Sequence, residues 1–174
     1  MTMYQKASVY VGTYGKYNNG NLFGEWISLA DFGSKDEFYQ HCVGLHDDEK
    51  DPEFMFQDYE CIPLDMVSES WVSGAFWDIP DLLSETEFEA FFDYCGNIYH
   101  GTIKDNSELF QATESYHEKY RGGCYKDMKE YADELFFECY DVNIPEHYVD
   151  IDAFCRDLEC DGYWISDNGH VFAP

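Results

Sequence analysis

From Ala7 to Tyr14 the chain alternates and is rich in Val and Tyr, the pattern of a strand. Asn18-Asn19-Gly20 supplies turn chemistry, and a second strand is expected near Glu25 to Leu29. Ser34 with Glu37 forms a capping box that opens a helix to about Leu45, with Phe38, Cys42 and Leu45 on one face. Glu53 to Glu60 alternates again, which places Phe54, Phe56 and Asp58 on one side and Glu53, Met55, Gln57 and Tyr59 on the other. These segments make a small β-β-α-β unit, residues 1–61.

After Pro63 the period changes. Leu64 to Phe76 and Ser84 to Cys95 read as helices, the second opened by a Ser84/Glu87 capping box and carrying Phe88, Phe91 and Phe92 at helical spacing. These aromatic stripes are expected to be core, so 62–105 is an acidic helical domain. In 106–174, Asn106 to Glu114 is a third candidate helix, and Tyr116 to Tyr120 a candidate strand ending at Gly122-Gly123. Tyr125 to Tyr140 is a helix with Met128, Tyr131, Leu135 and Cys139 in a stripe. Asp150 caps a helix over Ile151 to Glu159 that Gly162 stops. Tyr163 to Ser166 and His170 to Phe172 close the chain as a hairpin around Asn168-Gly169. The fold class expected is α+β, an elongated row of three small domains.

Charge changes the picture most. The formal net charge is -26 over 174 residues, with 10 bases against 36 acids. Between Asp51 and Ile103 there is no Lys or Arg, and twelve carboxylates: Asp51, Glu53, Asp58, Glu60, Asp65, Glu69, Asp78, Asp81, Glu85, Glu87, Glu89 and Asp93. The three segments carry net charges of -7, -8 and -11, so no detachable acidic tail accounts for the total. Acidic chains poor in aromatics stay disordered. Here 15 Tyr, 14 Phe and 4 Trp provide a core, and the surface between positions 51 and 103 can present only one sign of charge.

Other chemistry is weak. Seven cysteines, without a Cys-x-x-Cys pair, read as reduced thiols of a cytoplasmic protein, and no apolar signal region follows Met1. Asp157, Glu159, Asp161 and Gly162 match the start of a calcium loop, but position 12 is Asn168 where a bidentate Glu is needed. His41, Cys42 and His46 lack further ligands at zinc spacing. Carboxylate pairs are too numerous to single out a glycosidase site. No P-loop, Gly-x-Ser-x-Gly or Gly-x-Gly-x-x-Gly occurs. No catalytic residue, cofactor or metal is expected, and scattered bases disfavour direct nucleic-acid binding. Duplex DNA carries one charge per about 1.7 Å of axis, so one chain matches roughly 44 Å of duplex.

Four stretches also carry a family resemblance. Tyr17-Asn18-Asn19-Gly20-Asn21-Leu22-Phe23-Gly24-Glu25-Trp26-Ile27 resembles the "YNxGxLxGxW" signature of the ArdA antirestriction proteins. Asp51 to Glu60 resembles their "EEWxIxDYE" strand, and Tyr120-Arg121-Gly122 with Met128 to Leu135 their "YRG…FAEEL" stretch. Tyr148 to Leu158 resembles "YIDxxxxARDL", with Cys155 in place of alanine. Ile62 to Asn106 matches in charge and helix content rather than by motif.

The resemblance implies a DNA mimic of mobile genetic elements such as conjugative transposons, one that occupies the DNA-binding groove of Type I restriction–modification enzymes. It also implies an elongated three-domain homodimer joined through the C-terminal region. The phosphate-mimicking set is then the twelve carboxylates above with Glu114 and Glu118, and Tyr131, Leu135 and Phe154 are candidate dimer anchors. The alternative is an acidic chaperone or sequestering partner of basic DNA-binding proteins. No membrane association is expected.

Overall fold

The computed structural model describes residues 2–139 and 144–174. It is an α+β protein with three small antiparallel sheets. The chain divides into two compact units, Met1–Glu114 and Ser115–Pro174.

The first unit begins with α1 (Met3–Lys6), β1 (Ser8–Thr13) and α2 (Tyr14–Asn18). Then come β2 (Glu25–Ser28), α3 (Lys35–Leu45) and β3 (Phe54–Glu60). β1 is central, in the order β2-β1-β3. The sheet buries Val9, Val11, Ile27 and Phe56. The Ser34 hydroxyl accepts from the Glu37 N–H, and the Glu37 carboxylate reaches back to the Gly33 N–H. One orphan donor of α3 and the Gly33 N–H just before the cap are thereby satisfied. The helix then buries Phe38 and Cys42.

One alternation expected from sequence is corrected here. On β3, Asp58 pairs with Tyr10 and Phe56 with Val11, so Gln57 is an extra residue opposite one bond of β1. A bulge of this kind reverses the facing of everything beyond it. Phe56 therefore points into the core, while Asp58 is exposed on the opposite face.

The expected helix over Leu64 to Phe76 is also corrected. Its place is taken by β4 (Val67–Ser68) and β5 (Trp71–Val72), a hairpin turning at Glu69-Ser70 and flanked by single 3-10 turns at Leu64–Met66 and Gly74–Asp78. The Phe56 N–H donates to the Glu69 carbonyl at 2.8 Å, and the Val72 N–H to the Tyr39 hydroxyl at 3.4 Å. The apolar spacing of Leu64, Val67 and Trp71 fits a helix, but these long-range bonds favour the extended form available to Val and Trp.

α4 (Ile79–Leu82) and α5 (Phe88–Asn97) follow. α5 starts a turn later than expected, because the Glu87 carboxylate caps the Ser84 N–H at 3.0 Å across a preceding turn. It buries Phe88, Phe91, Phe92, Tyr94 and Cys95, each large ring contributing about 1.5–3 kcal/mol. The core is an aromatic relay: Phe56 to Phe38, Phe38 to Trp77, Trp77 to Phe76, and Phe76 stacked on Tyr4 at 4.7 Å. The Trp77 indole N–H donates to the Leu29 carbonyl at 3.0 Å. Residues 62–105 thus pack directly on residues 1–61.

α6 (Asn106–Lys119) has residues on both sides of the division between units. Leu109, Ala112, Thr113 and Tyr116 are buried at i, i+3, i+4 and i+7. This continued helical period absorbs Tyr116 to Lys119, which sequence assigned to a strand. Only Tyr120 belongs to β6 (Tyr120–Gly122).

In the second unit, α7 (Met128–Glu134) is capped by the Asp127 side chain and runs on as a wider π-helical turn over Leu135–Cys139. Tyr140, the expected end of that helix, lies outside the described residues. α8 (Ile151–Cys160) is capped by Asp150, whose carboxylate accepts from the Ala153 N–H at 2.9 Å. β7 (Trp164–Ile165) and β8 (Val171–Phe172) form the closing hairpin, in the order β6-β8-β7. Gly169 sits at φ +82° with the Tyr125 carbonyl only 2.2 Å from where a Cβ would be, so no other residue fits this turn. The core of this unit is Met128, Tyr131, Ala132, Leu158 and Val171.

Candidate interaction surface

Ten of the fourteen selected carboxylates are exposed: Asp51, Glu53, Asp58, Glu60, Glu69, Asp81, Glu85, Glu89, Glu114 and Glu118. Asp65, Asp78, Glu87 and Asp93 are half-buried. Glu53 and Glu69 converge on Tyr14, whose phenol is pushed up by burial, then by Glu69, to which it is hydrogen-bonded, and by Glu53. The Asp78 carboxylate adds to burial in raising Tyr4. Glu87 is committed to its cap on Ser84, which holds its charge at a fixed point.

Several bases are held by other groups. Lys35 lies over the Tyr39 ring and Lys104 over the Trp71 ring, each with Nζ 5.4 Å from the centroid. Arg121 donates to the carbonyls of Glu118 and Tyr120. Three ion pairs are described, Lys16–Asp48, Lys16–Glu49 and Lys129–Asp152, and they engage acids outside the selected fourteen. Lys35, Lys104 and Arg121 are thus drawn onto rings and backbone carbonyls, away from the selected carboxylates.

Asp65 suits such a surface least. Its Oδ2 is buried without a hydrogen-bond partner, and burial pushes its carboxyl above the ordinary range, partly offset by His100. The Cys95 thiol is raised by burial and then by Asp65. A carboxyl with a raised folded-state pKa binds more protons in the native state than in the unfolded one. Its ionisation therefore costs stability as pH rises through that value. Asp65→Asn is expected to raise the melting temperature at pH 7 by about 2–4 °C, or about 1 kcal/mol. The gain should vanish as pH falls towards about 4, which thermal melts across that range will check.

The dimer candidates divide. Tyr131 is buried in its own unit, edge-on to Tyr125 with ring centroids 5.2 Å apart. Leu135 and Phe154 are only partly buried against the same core.

A buried polar cluster was not evident from sequence. Lys16 on α2 is 9% exposed and His46, just after α3, is 0% exposed. The Lys16 ammonium donates to His46 Nδ1 at 2.9 Å and to Asp48 Oδ1 at 2.7 Å, with Glu49 Oε1 at 3.7 Å. Because Nδ1 accepts, the His46 proton resides on Nε2 and is directed at the Val11 carbonyl, 3.3 Å away. The His46 imidazole is held below its ordinary value by burial and then by Lys16. The Asp48 carboxyl is held down chiefly by its hydrogen bond from Lys16. Ligand atoms of His46, Asp48 and Glu49 lie within 4.8 Å of one another, and the Lys16 ammonium provides the cation among them. No periodicity marks Lys16. Its partners lie 30 or more residues away in sequence.

The remaining sequence candidates resolve simply. His41 is exposed while Cys42 is buried, and burial pushes the Cys42 thiol up to about 12, which makes it inert packing. Asp157 and Glu159 lie on α8, their carbonyls accepting from Asp161 and Gly162, so this segment is a helix end rather than a wrapping loop. Cys42, Cys61, Cys95, Cys124, Cys155 and Cys160 are free. Among the described residues no helix is long and apolar enough to cross a membrane.

No curated protein matches the chain at a significant level. The family model described as antirestriction protein (ArdA) matches residues 9–172, from the first residues of β1 to the last of β8. With nearly the whole chain covered, this acidic α+β protein belongs to the ArdA family of antirestriction proteins.

Proposed function

We propose that the chain acts as a DNA mimic that occupies the DNA-binding groove of a Type I restriction–modification enzyme. Antirestriction function, as an inhibitor rather than an enzyme, and an interaction with restriction–modification enzymes follow from the family. Mimicry of the phosphate backbone is the further step. The observation that carries it is the stretch from Asp51 to Ile103, which has no base and eight of whose twelve carboxylates are exposed. A groove lined with Lys and Arg gains from such a surface what it gains from DNA, because both release counterions. Successive domains, 1–61, 62–105 and 106–174, would carry the charge along the chain. A homodimer through the second unit, with Leu135 and Phe154 at the contact, would double its length.

The test is cleavage of unmodified DNA by a Type I enzyme in the presence of rising amounts of this protein. Protection that weakens steeply as salt increases is expected. The protecting species should sediment as two chains of 20.4 kDa each. Undiminished cleavage at a large excess of inhibitor sinks the groove reading, and a monomeric protecting species sinks the dimer.

A further inference from the structure

Two of the exposed apolar side chains, Leu82 and Phe110, share a cleft of about 270 Å3 with Asp78, Asp81 and Asn106. Leu82 is 39% exposed and Phe110 51%. Single exposed apolar residues are ordinary on a protein surface. An exposed ring and an aliphatic side chain in one cleft with two carboxylates are a different matter. The carboxylates attract a cation, and the apolar pair offers a cation nothing unless it arrives on an organic side chain.

The protein already contains one filled site of this composition. Lys16 places its ammonium 4.7 Å from the centre of the Phe23 ring, 2.7 Å from Asp48 and 3.7 Å from Glu49. One aromatic ring and two carboxylates there, with the His46 imidazole, hold a cation supplied by the chain itself. The Asp78–Asp81–Phe110 cleft repeats the ring and the two carboxylates, and none of its lining residues is a Lys or Arg. Lys104, close by in sequence, has its Nζ over Trp71. Asp81 on α4 and Asp78 at its start line the cleft together with Phe110 on α6, so two separate helices build it.

We propose that this cleft receives an arginine side chain from the DNA-binding groove of the restriction enzyme. The guanidinium pairs with Asp78 and Asp81, its methylene stem lies along Leu82, and its planar head covers the Phe110 ring. Arginine suits the cleft better than lysine, because its flat, weakly hydrated head both forks onto carboxylates and stacks on a ring. A calcium or magnesium ion would need six or more oxygens, and an apolar wall provides none. The inference rests on the proposed decoy function and deepens it. Summed charge makes every carboxylate nearly equal, whereas a cleft of this kind concentrates affinity at one place.

The decisive variant is Phe110→Ala in the full chain, since it removes no charge and an exposed ring is not needed for folding. Two readouts are used. In the Type I cleavage assay, Phe110→Ala is expected to weaken protection about fivefold while the dependence on salt keeps the wild-type slope. Val43→Ala, also exposed but on α3 and outside the cleft, should change nothing. In direct titrations, the wild-type protein should bind tri-arginine more tightly than tri-lysine, and Phe110→Ala should abolish the preference. Wild-type protection combined with unchanged behaviour of Phe110→Ala in both readouts overturns the cleft and leaves the decoy function standing. An arginine preference that depends on Phe110, in a protein that fails to protect DNA, supports the cleft and removes the decoy function.

Discussion

Replacing Glu53, Glu60, Glu85 and Glu89 together with glutamine is expected to cut the protection of DNA by roughly 30- to 1000-fold at low salt. Each of these side chains is exposed, and glutamine keeps its shape, so the fold should be retained. An exposed charge facing a cation is worth about 0.5–1 kcal/mol, so four sum to about 2–4 kcal/mol. Each single substitution should therefore cost no more than about fivefold. The salt dependence gives an independent check. Every lost phosphate-like contact should flatten the slope of log affinity against log salt by about 0.9, so the fourfold variant should be visibly less salt-sensitive. Inhibition titrations at two ionic strengths measure both quantities. Loss of all activity from one of the four changes would mean a discrete site rather than a charge field. An undamaged fourfold variant would mean that these carboxylates face away from the enzyme.

The second large effect belongs to stability. Lys16→Met is expected to lower the melting temperature by about 5–10 °C. Its ammonium is the hydrogen-bond donor to His46 Nδ1 and to Asp48, and it lies near Glu49. Methionine fills the volume and leaves two carboxylates and a buried imidazole with no cation among them. Breaking a fully buried pair costs about 3–5 kcal/mol. Asp48 and Glu49 keep 63% and 23% of their side-chain surface in water, so about 2–3 kcal/mol is the discounted figure. The loss would fall on the clamp between α2 and the loop after α3, which also carries the Thr13 hydroxyl donating to Glu49. Thermal denaturation followed by circular dichroism gives the answer. A midpoint within a degree of wild type would show that the ammonium only occupies space there.

Local signals are legible where one short segment contains its own instruction. Ser34 and Asp150 cap their helices by bonds to N–H groups three residues on, and both caps stand out in the sequence. Gly169 marks the closing turn for an equally local reason, its positive φ. The failures lie where the deciding partner is distant. Nothing between Leu64 and Phe76 reveals that Phe56 will bond to Glu69, and without that bond the apolar spacing favours a helix. The bulge at Gln57 exists only against β1, so the opposite facing of Phe56 and Asp58 could not be read from the alternation of β3 alone. What covers Tyr131 is likewise decided by distant segments, because a stripe on one helix does not say what packs on it. Leu158 and Val171, from α8 and β8, share its core.

By itself the sequence determined the sign of the surface. With no base from Asp51 to Ile103, any fold that buries those aromatics must turn carboxylates outward, since a bare charge is costly to bury. The tertiary structure alone decided which acids are exposed, which one is left half-hidden with a raised pKa, and which two share a cleft with a phenylalanine from a helix more than twenty residues further on. The reason is that net charge adds along a chain in any conformation, while the neighbours that tune each group are chosen only when distant segments pack.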